Sequence, residues 1–275
     1  DVVLTNHGTP ETSVEIVGGN LVITDINGGD SDDNLTITDD GTHFVITDNG
    51  GLTMTTSIAG AIRVDQSTIR VAKGDVSGGL TFNTLDNAND TVTVGNNLTF
   101  AGPIDINAET INLSGNLTAD NAGTSQNITL TGAVNLTTNV TLDGADVNFA
   151  STIDGGQALT VNSDGTTTFG GEIGGTTALT SVTTDVAGTL APITADVTTT
   201  GAQNYGEDVT LGANVTFTGG GAAEAVNFGG TLTGAGNDLT VSGGGAFAGA
   251  VSGVGALSAD SVDSESTIVA TSLNV

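Results

Sequence analysis

The stretch GGDSDDNLTI, residues 28 to 37, combines residue types that bind calcium with residue types that form turns. Its two glycines are followed closely by the aspartates Asp30, Asp32 and Asp33. Carboxylate oxygens are ligands that Ca²⁺ prefers in proteins. The stretch also partly matches the nonapeptide GGxGxDxUx, whose paired turns hold Ca²⁺ between successive coils. These three aspartates are therefore the candidate metal ligands of the chain, and calcium is the candidate ion.

The match to the nonapeptide is incomplete. Asp33 and Leu35 fall at the expected places, but Ser31 stands where the third glycine belongs, and a second copy at residues 86–94 has lost its glycines. Calcium rolls of this type need consecutive copies, because each ion takes six to eight oxygens from two adjacent turns. Two interpretations stay open: a solvated Asp-rich turn at a corner, which the missing copies favour, and a calcium site.

Residue types that support catalysis are scarce. The basic residues are Arg63, Arg70 and Lys73, so no other part of the chain offers a cationic base to a polysaccharide lyase. Tyr205 is the single tyrosine and tryptophan is absent, which leaves a glycosidase little to stack against a sugar. The two histidines, His7 and His43, are too few for a zinc site or a nucleophilic triad. We expect a protein that is not an enzyme and has no catalytic residues.

The charge of the chain limits its partners. It carries 31 acidic residues against 3 basic ones, for a formal net charge of −28. Without a basic patch it cannot displace counterions from phosphate, so nucleic acid is excluded, and no apolar run is long enough for membrane insertion. Copies of such a chain repel one another unless salt or divalent cations screen them. Calcium-bearing, saline or extracellular surroundings fit best, and the absence of cysteine makes the chain indifferent to redox conditions.

A short unit, NLxUx with U apolar, recurs along the chain and is followed by Gly, Asp or Asn. Clear copies begin at residues 20, 34, 97, 127, 139 and 214. Each alternates apolar and polar residues, as a strand with one buried face does. Many units start six to eight residues apart, which is too close for hairpins between strands of ordinary length. The pattern predicts an all-β, single-stranded parallel β-helix, or β-solenoid, with rungs of roughly 20 residues.

The corners of such a solenoid have their own chemistry. Asn stands before many of the strands, and side-chain amides stacked between rungs are expected to form an Asn ladder there. Gly, Asn and Asp supply the positive φ that tight bends need.

The composition changes near residues 74 to 79, after the last basic residue. We therefore divide the chain into residues 1–78, an irregular N-terminal β cap or the first rungs of the helix, and residues 79–275, the β-helix repeat region. The NLxUx units occur in both parts, which favours a continuous solenoid over a separate domain. The sequence starts at Asp1 without a signal segment, as expected of a processed product or an excised piece.

Residues 159 to 189, LTVNSDGTTTFGGEIGGTTALTSVTTDVAGT, and 197 to 220, VTTTGAQNYGEDVTLGANVTFTGG, resemble the repeats of large secreted bacterial surface proteins of the filamentous-haemagglutinin and autotransporter-passenger type. The close resemblance covers roughly residues 150 to 250. It implies a right-handed parallel β-helix that acts as a surface stalk, adhesin or matrix component.

These observations together predict a secreted, non-enzymatic structural protein at the cell surface or outside the cell. It is expected to form a homopolymer, as a filament, surface layer or matrix, because uncapped first and last rungs are strand edges that accept another chain. The alternative is an adhesin, a β-helical module that binds a cell-surface glycan or another surface. The termini DVVLTN and STIVATSLNV are strand-like in pattern, which favours self-association.

Overall fold

The computed structural model describes residues 10–26, 32–84, 89–221 and 225–275. More than half of the chain is strand, and the described residues contain one short 3-10 helix, Lys73–Asp75. Successive short strands coil into a parallel β-solenoid of about nine turns, which confirms the predicted fold class. The handedness of the coil stays a prediction.

The strands are numbered in chain order. Those of the first part are β1 (Thr12–Val17), β2 (Asn20–Asp25), β3 (Asn34–Asp39), β4 (His43–Asp48), β5 (Met54–Thr55), β6 (Ile62–Arg63), β7 (Thr68–Ala72), β8 (Leu80–Asn83), β9 (Thr91–Val94), β10 (Leu98–Phe100) and β11 (Ile104–Asn107). Those of the middle part are β12 (Thr110–Leu113), β13 (Leu117–Ala119), β14 (Ile128–Leu130), β15 (Ala133–Leu136), β16 (Val140–Gly144), β17 (Val147–Phe149), β18 (Ile153–Asp154), β19 (Ala158–Ser163), β20 (Thr166–Phe169), β21 (Ser181–Thr184) and β22 (Thr189–Leu190). Those of the last part are β23 (Val197–Thr198), β24 (Gln203–Tyr205), β25 (Val209–Thr210), β26 (Val215–Thr218), β27 (Val226–Phe228), β28 (Leu232–Thr233), β29 (Leu239–Ser242), β30 (Gly245–Phe247), β31 (Val251–Ala259), β32 (Val262–Ser264) and β33 (Ile268–Asn274).

The strands stack into four sheets. The first sheet has the strand order β10-β13-β16-β19-β21-β24-β27-β30-β32. The other three sheets are β22-β20-β17-β14-β11-β8-β2-β1-β5, β18-β15-β12-β9-β3-β4-β7-β6 and β23-β26-β29-β31-β28-β25, with β33 added on β31. Single bridges such as Ile153↔Ile173, Ile173↔Val197 and Ile193↔Leu211 continue the pairing where strands are short. Most turns therefore contribute one short strand to each of three faces, and the sheets run along the coil.

The core is a stack of aliphatic rows with a few aromatic ones. Leu21, Leu80, Ile104, Ile128 and Val147 pair in register on successive strands, and all are fully buried. In most strands alternate residues point inward, which is why these strands show the buried–intermediate alternation that the sequence predicted. The spacing between stacked corners is 19 residues for Asn97 and Asn116 and 25 residues for Asn116 and Thr141, so the rungs are unequal in length.

The first part of the chain pairs differently from the rest. β1 pairs antiparallel with β2, β3 with β4, and β7 with both β4 and β6. The turn between β1 and β2 is Gly18-Gly19, with φ of +59° and +89°, and such two-residue turns send the chain straight back. β2 and β3 also pair in parallel with β8 and β9, which joins this antiparallel section, residues 10–72, to the solenoid. The NLxUx pattern did not indicate this change of direction, and the domain division at residues 78/79 stays a prediction.

Candidate functional site

The predicted calcium ligands fall into different surroundings. Asp30 lies outside the described residues. Asp32 is exposed, and its Oδ1 accepts a hydrogen bond from the Asn89 N–H at 3.0 Å. Asp33 is buried, and its carboxylate accepts a hydrogen bond from the Thr12 hydroxyl at 3.4 Å. In the described ranges no group of three or more His, Cys, Asp or Glu side chains could hold a metal ion, and calcium at Asp30, Asp32 and Asp33 stays a prediction.

Asp33 belongs to a cluster of buried carboxylates that sequence reasoning did not assemble. Asp33, Asp48 and Asp90 are each almost completely buried, and the Asp33 N–H donates to Asp90 Oδ1 at 2.8 Å. Burial first, and then the neighbouring charges of Asp25, Asp48 and Asp90, raise the pKa of Asp33 to about 7. Burial also raises the pKa of Asp48, whose Oδ1 accepts from the Gly50 N–H. The antiparallel section and the solenoid thus meet at buried carboxyl groups, of which Asp33 has a pKa near neutral.

A second buried carboxyl group lies in the middle of the solenoid. Glu207 is almost fully buried, the Thr184 hydroxyl donates to its Oε2, and its Oε1 has no hydrogen-bond partner among the described residues. Burial raises the pKa of this carboxyl group. A groove of about 520 Å³ that includes Glu207 and Val186 runs beside it. The sequence gave no signal that this residue is buried, because GED is typical of an acidic corner at the surface.

Many acidic and amide side chains at the corners form hydrogen bonds to the next coil. Asn127 Oδ1 accepts the Asp146 N–H at 3.1 Å, and Asp146 Oδ1 accepts the Thr166 N–H at 2.8 Å one coil further on. The same side chain-to-backbone bond recurs at other corners: Asn97, Asn116, Asn139, Asp196, Asp208, Asn214 and Asp238. The corner ladder is therefore built from Asn and Asp together, bonded to backbone N–H groups.

The sequence predicted hydrogen bonds between stacked Asn side chains at the corners. Such amide-to-amide bonds occur instead between Asn residues in paired strands. Asn135 Nδ2 donates to Asn112 Oδ1 at 3.1 Å, and Asn227 Nδ2 donates to Asn204 Oδ1 at 2.8 Å. These pairs lie on the outward face of paired strands. Both kinds of bond tie coil to coil along the axis.

The aromatic side chains are structural. All eight phenylalanines and Tyr205 are buried. Tyr205 stacks on Phe228, and Phe228 stacks on Phe247, with ring centroids 5.6 and 5.1 Å apart. The Tyr205 hydroxyl donates to Gln203 Oε1 at 3.0 Å, and burial raises the pKa of this tyrosine. None of these rings is available to stack on a ligand at the surface.

The two ends of the described structure carry most of its exposed large apolar side chains. Val17, Ile26, Ile62 and Val64 lie in the antiparallel section, and Val269, Leu273 and Val275 lie in the last strand or beside it. Val186 is the one remaining large apolar side chain that is exposed in the described residues. The predicted strand-like terminus DVVLTN, residues 1 to 6, lies outside the described residues, and STIVATSLNV contains β33. The strands at both ends of the described structure are outermost in their sheets.

Comparison with known proteins gives no match: no family model, no curated protein and no solved structure is significantly similar to this chain. No helix among the described residues is long and apolar enough to cross a membrane.

Proposed function

We propose that the chain is a secreted, non-enzymatic structural protein that builds an extracellular filament, surface layer or matrix by end-to-end association of β-solenoid subunits. The observation that carries this proposal is the open edge at the last turn. β33 pairs only with β31, and β32 pairs only with β30, within the described residues. The outer edges of both strands present backbone groups to which another strand can bond.

The side chains at this edge support association. Val269 and Leu273 are 57% and 58% exposed, whereas Val251, Val254 and Leu257 of the preceding strand β31 are almost completely buried. Leu273 pairs in register with the buried Leu257 of β31, so another coil stacked on β33 would bury Leu273 in the way that each inner turn buries the side chains of its neighbour. A parallel edge with exposed apolar side chains is a typical docking surface for a further strand.

The surroundings of the protein follow from its charge. A subunit with a net charge of −28 approaches another copy only where salt or divalent cations screen the repulsion. Saline or calcium-bearing extracellular surroundings provide that screening. The resemblance to secreted bacterial surface proteins supports the same location.

The alternative, an adhesin that binds a surface glycan, has less support. Sugar-binding surfaces commonly use exposed aromatic rings beside polar groups. Here every phenylalanine and Tyr205 are buried, and the chain has no tryptophan. Binding of the monomer to a glycan array would favour the adhesin.

The decisive experiment is negative-stain electron microscopy and light scattering of the purified 275-residue chain at high concentration, with and without millimolar Ca²⁺. We expect rods longer than one subunit, and a chain that stays monomeric under all conditions would contradict the proposal.

A matched pair of variants locates the contact. Replacing Val269 and Leu273 by lysine places charge on the open edge and is expected to abolish the rods. Val186→Lys is the control, because Val186 is 84% exposed and lies on the side of the solenoid.

A further inference from the structure

A groove lies at the opposite end of the molecule, in the antiparallel section. Its volume is about 550 Å³, and it is lined by residues of β5, residues 63–66 and Pro10. β5 and β6 are the outermost strands of their sheets. Val64, at the groove, and the neighbouring Ile62 are among the exposed large apolar residues. The groove therefore combines strand edges with apolar surface at one end of the coil.

Arg63 gives this groove a positive charge that the described residues do not neutralise. Arg70 forms an ion pair with Asp40, and Lys73 forms one with Asp39. Arg63 instead donates to the backbone carbonyl oxygens of Met54 and Gln66, and in the described part of the chain no carboxylate lies within ion-pair distance of it. Asp65 also lines this groove, and its carboxylate accepts hydrogen bonds from the Ser67 N–H and hydroxyl groups. Carbonyl groups leave the Arg63 charge available to an incoming carboxylate.

The last turn of the solenoid has the complementary character. Asp263, in β32, and Glu265, just after it, are exposed. All three Lys and Arg residues of the chain lie far away, in the antiparallel section or directly after it. Exposed Val269 and Leu273 follow in β33. One end of the molecule thus offers an apolar edge with carboxylates, and the other offers an apolar groove with a guanidinium group.

We propose that the groove at Arg63 binds the last turn, residues 262–274, of a second copy of this chain, so that subunits join head to tail. This inference rests on the proposed function and adds the polarity of the contact to it. The two surfaces differ, so the contact is heterologous, and a heterologous contact that does not close into a ring propagates into an open filament. The carboxylates of one subunit face Arg63 of the next, and the apolar side chains of the edge enter the groove.

Charge reversal tests the contact from both sides. Arg63→Glu alone, and the double variant Asp263→Arg/Glu265→Arg alone, are each expected to raise the concentration needed for filament growth about tenfold or more, because like charges then meet. An equimolar mixture of the two variants restores complementary pairs at every contact. The mixture is expected to form filaments at close to the wild-type concentration, with the two variants alternating.

Three controls make the outcome decisive. Asp143→Arg reverses one exposed carboxylate on the side of the solenoid and is expected to leave growth unchanged. Thermal melting of each variant as a monomer shows whether the fold is kept. Arg63→Gln, which removes the charge without reversing it, is expected to have an intermediate effect.

If Arg63→Glu forms filaments at the same concentration as the wild type, or if the mixture of the two variants gives no recovery, the head-to-tail contact is overturned while the proposed function stands. Absence of wild-type filaments would overturn both.

Discussion

Gly132 lies where two coils come so close that no side chain fits. A Cβ added at this position would lie 1.8 Å from the carbonyl oxygen of Ala108. The sequence suggested that corner glycines supply a positive φ, yet Gly132 is not among the positive-φ glycines. Glycine is needed at this position because the two coils approach each other so closely.

Gly132→Ala is therefore expected to cost about 2 kcal/mol or more of unfolding free energy, because backbone must shift to admit the methyl group. Gly156→Ala is the matched control: a Cβ there meets nothing within 4 Å, and the φ of Gly156 is not positive. Chemical denaturation of both variants checks the difference. Equal midpoints for the two variants would mean that the coils are not packed as described.

Asp33 makes stability depend on pH. The pKa of its carboxyl group is about 7 in the folded protein, against an ordinary value of 3.8, so between these values the folded state binds more protons than the unfolded state. Stability contributed by this group therefore falls as the pH rises from about 4 to about 7, and it stays lost above that range.

Asp33→Asn removes this dependence because an amide has no proton to lose. We expect the variant to melt higher than the wild type at pH 8 and at a similar temperature near pH 4, in buffer without divalent cations. Asp143→Asn, an exposed carboxylate, serves as the control for the general change in charge. A constant difference between Asp33→Asn and wild type across the pH range would contradict a raised pKa.

Calcium at the predicted ligands is tested by thermal melting with Ca²⁺ and with EDTA. If Asp30, Asp32 and Asp33 bind the ion, Ca²⁺ raises the midpoint of the wild type, because a ligand that binds only the folded state stabilises it. Asp32→Asn is expected to reduce the increase, while Asp143→Asn keeps it. If EDTA leaves the melting midpoint of the wild type unchanged, these residues do not bind calcium.

Each element of the solenoid is short, and the bonds at its corners compensate for that. Most strands have two to six residues and form few ladder bonds of their own, whereas Asn and Asp side chains at the corners accept hydrogen bonds from N–H groups of the next coil. Asn116 forms such bonds with the coils on both sides. Its N–H donates to Asn97 Oδ1, and its own Oδ1 accepts from the Thr141 N–H at 2.8 Å.

Asn116→Ala is expected to lower the unfolding free energy by about 1 kcal/mol, since the part-buried Thr141 N–H loses its acceptor. Asn116→Asp keeps an oxygen at the same position and should cost clearly less, as natural aspartates at Asp146 and Asp238 show. Denaturation midpoints of the two variants provide the measurement. A loss of equal size in both would show that the amide N–H₂, and not the oxygen, matters at this corner.

The strand units themselves were predictable, but the partners of the first ones were not. NLVITD and NLTITD became β2 and β3, with the alternation of buried residues that the pattern indicated. Their antiparallel partners depend on the turn at Gly18-Gly19 and on β4, so direction is decided by turn geometry and long-range pairing rather than by alternation. The long-range pairing of β3 with β4 and β9 also brings the carboxylates Asp48 and Asp90 close to Asp33.

At the scale of the whole molecule, the net charge of −28 and the apolar ends act in opposite directions. Repulsion between subunits is long-range and falls as salt shortens the Debye length from about 30 Å at 0.01 M to about 8 Å at 0.15 M. The contacts at the ends are short-range and less affected by this change.

Rod formation is therefore expected to increase between these two ionic strengths, measured by light scattering at constant protein concentration. Millimolar Ca²⁺ or Mg²⁺ should act at lower ionic strength than NaCl because divalent ions screen more strongly. Scattering that decreases steadily from low to physiological salt would indicate that ion pairs, and not apolar edges, dominate the contact.

The sequence by itself determined the class of fold, because alternation with period two, close strand spacing and corner-forming residues are local properties of the chain. It also determined the acidic surface and the shortage of catalytic residue types. Only the tertiary structure decided which strands run antiparallel, which carboxylates are buried together, and that Arg63 lies beside a groove at one end while Asp263 and Glu265 lie at the other. These facts depend on contacts between residues distant in sequence, whose pairing is set by the stacking of coils and not by any local pattern.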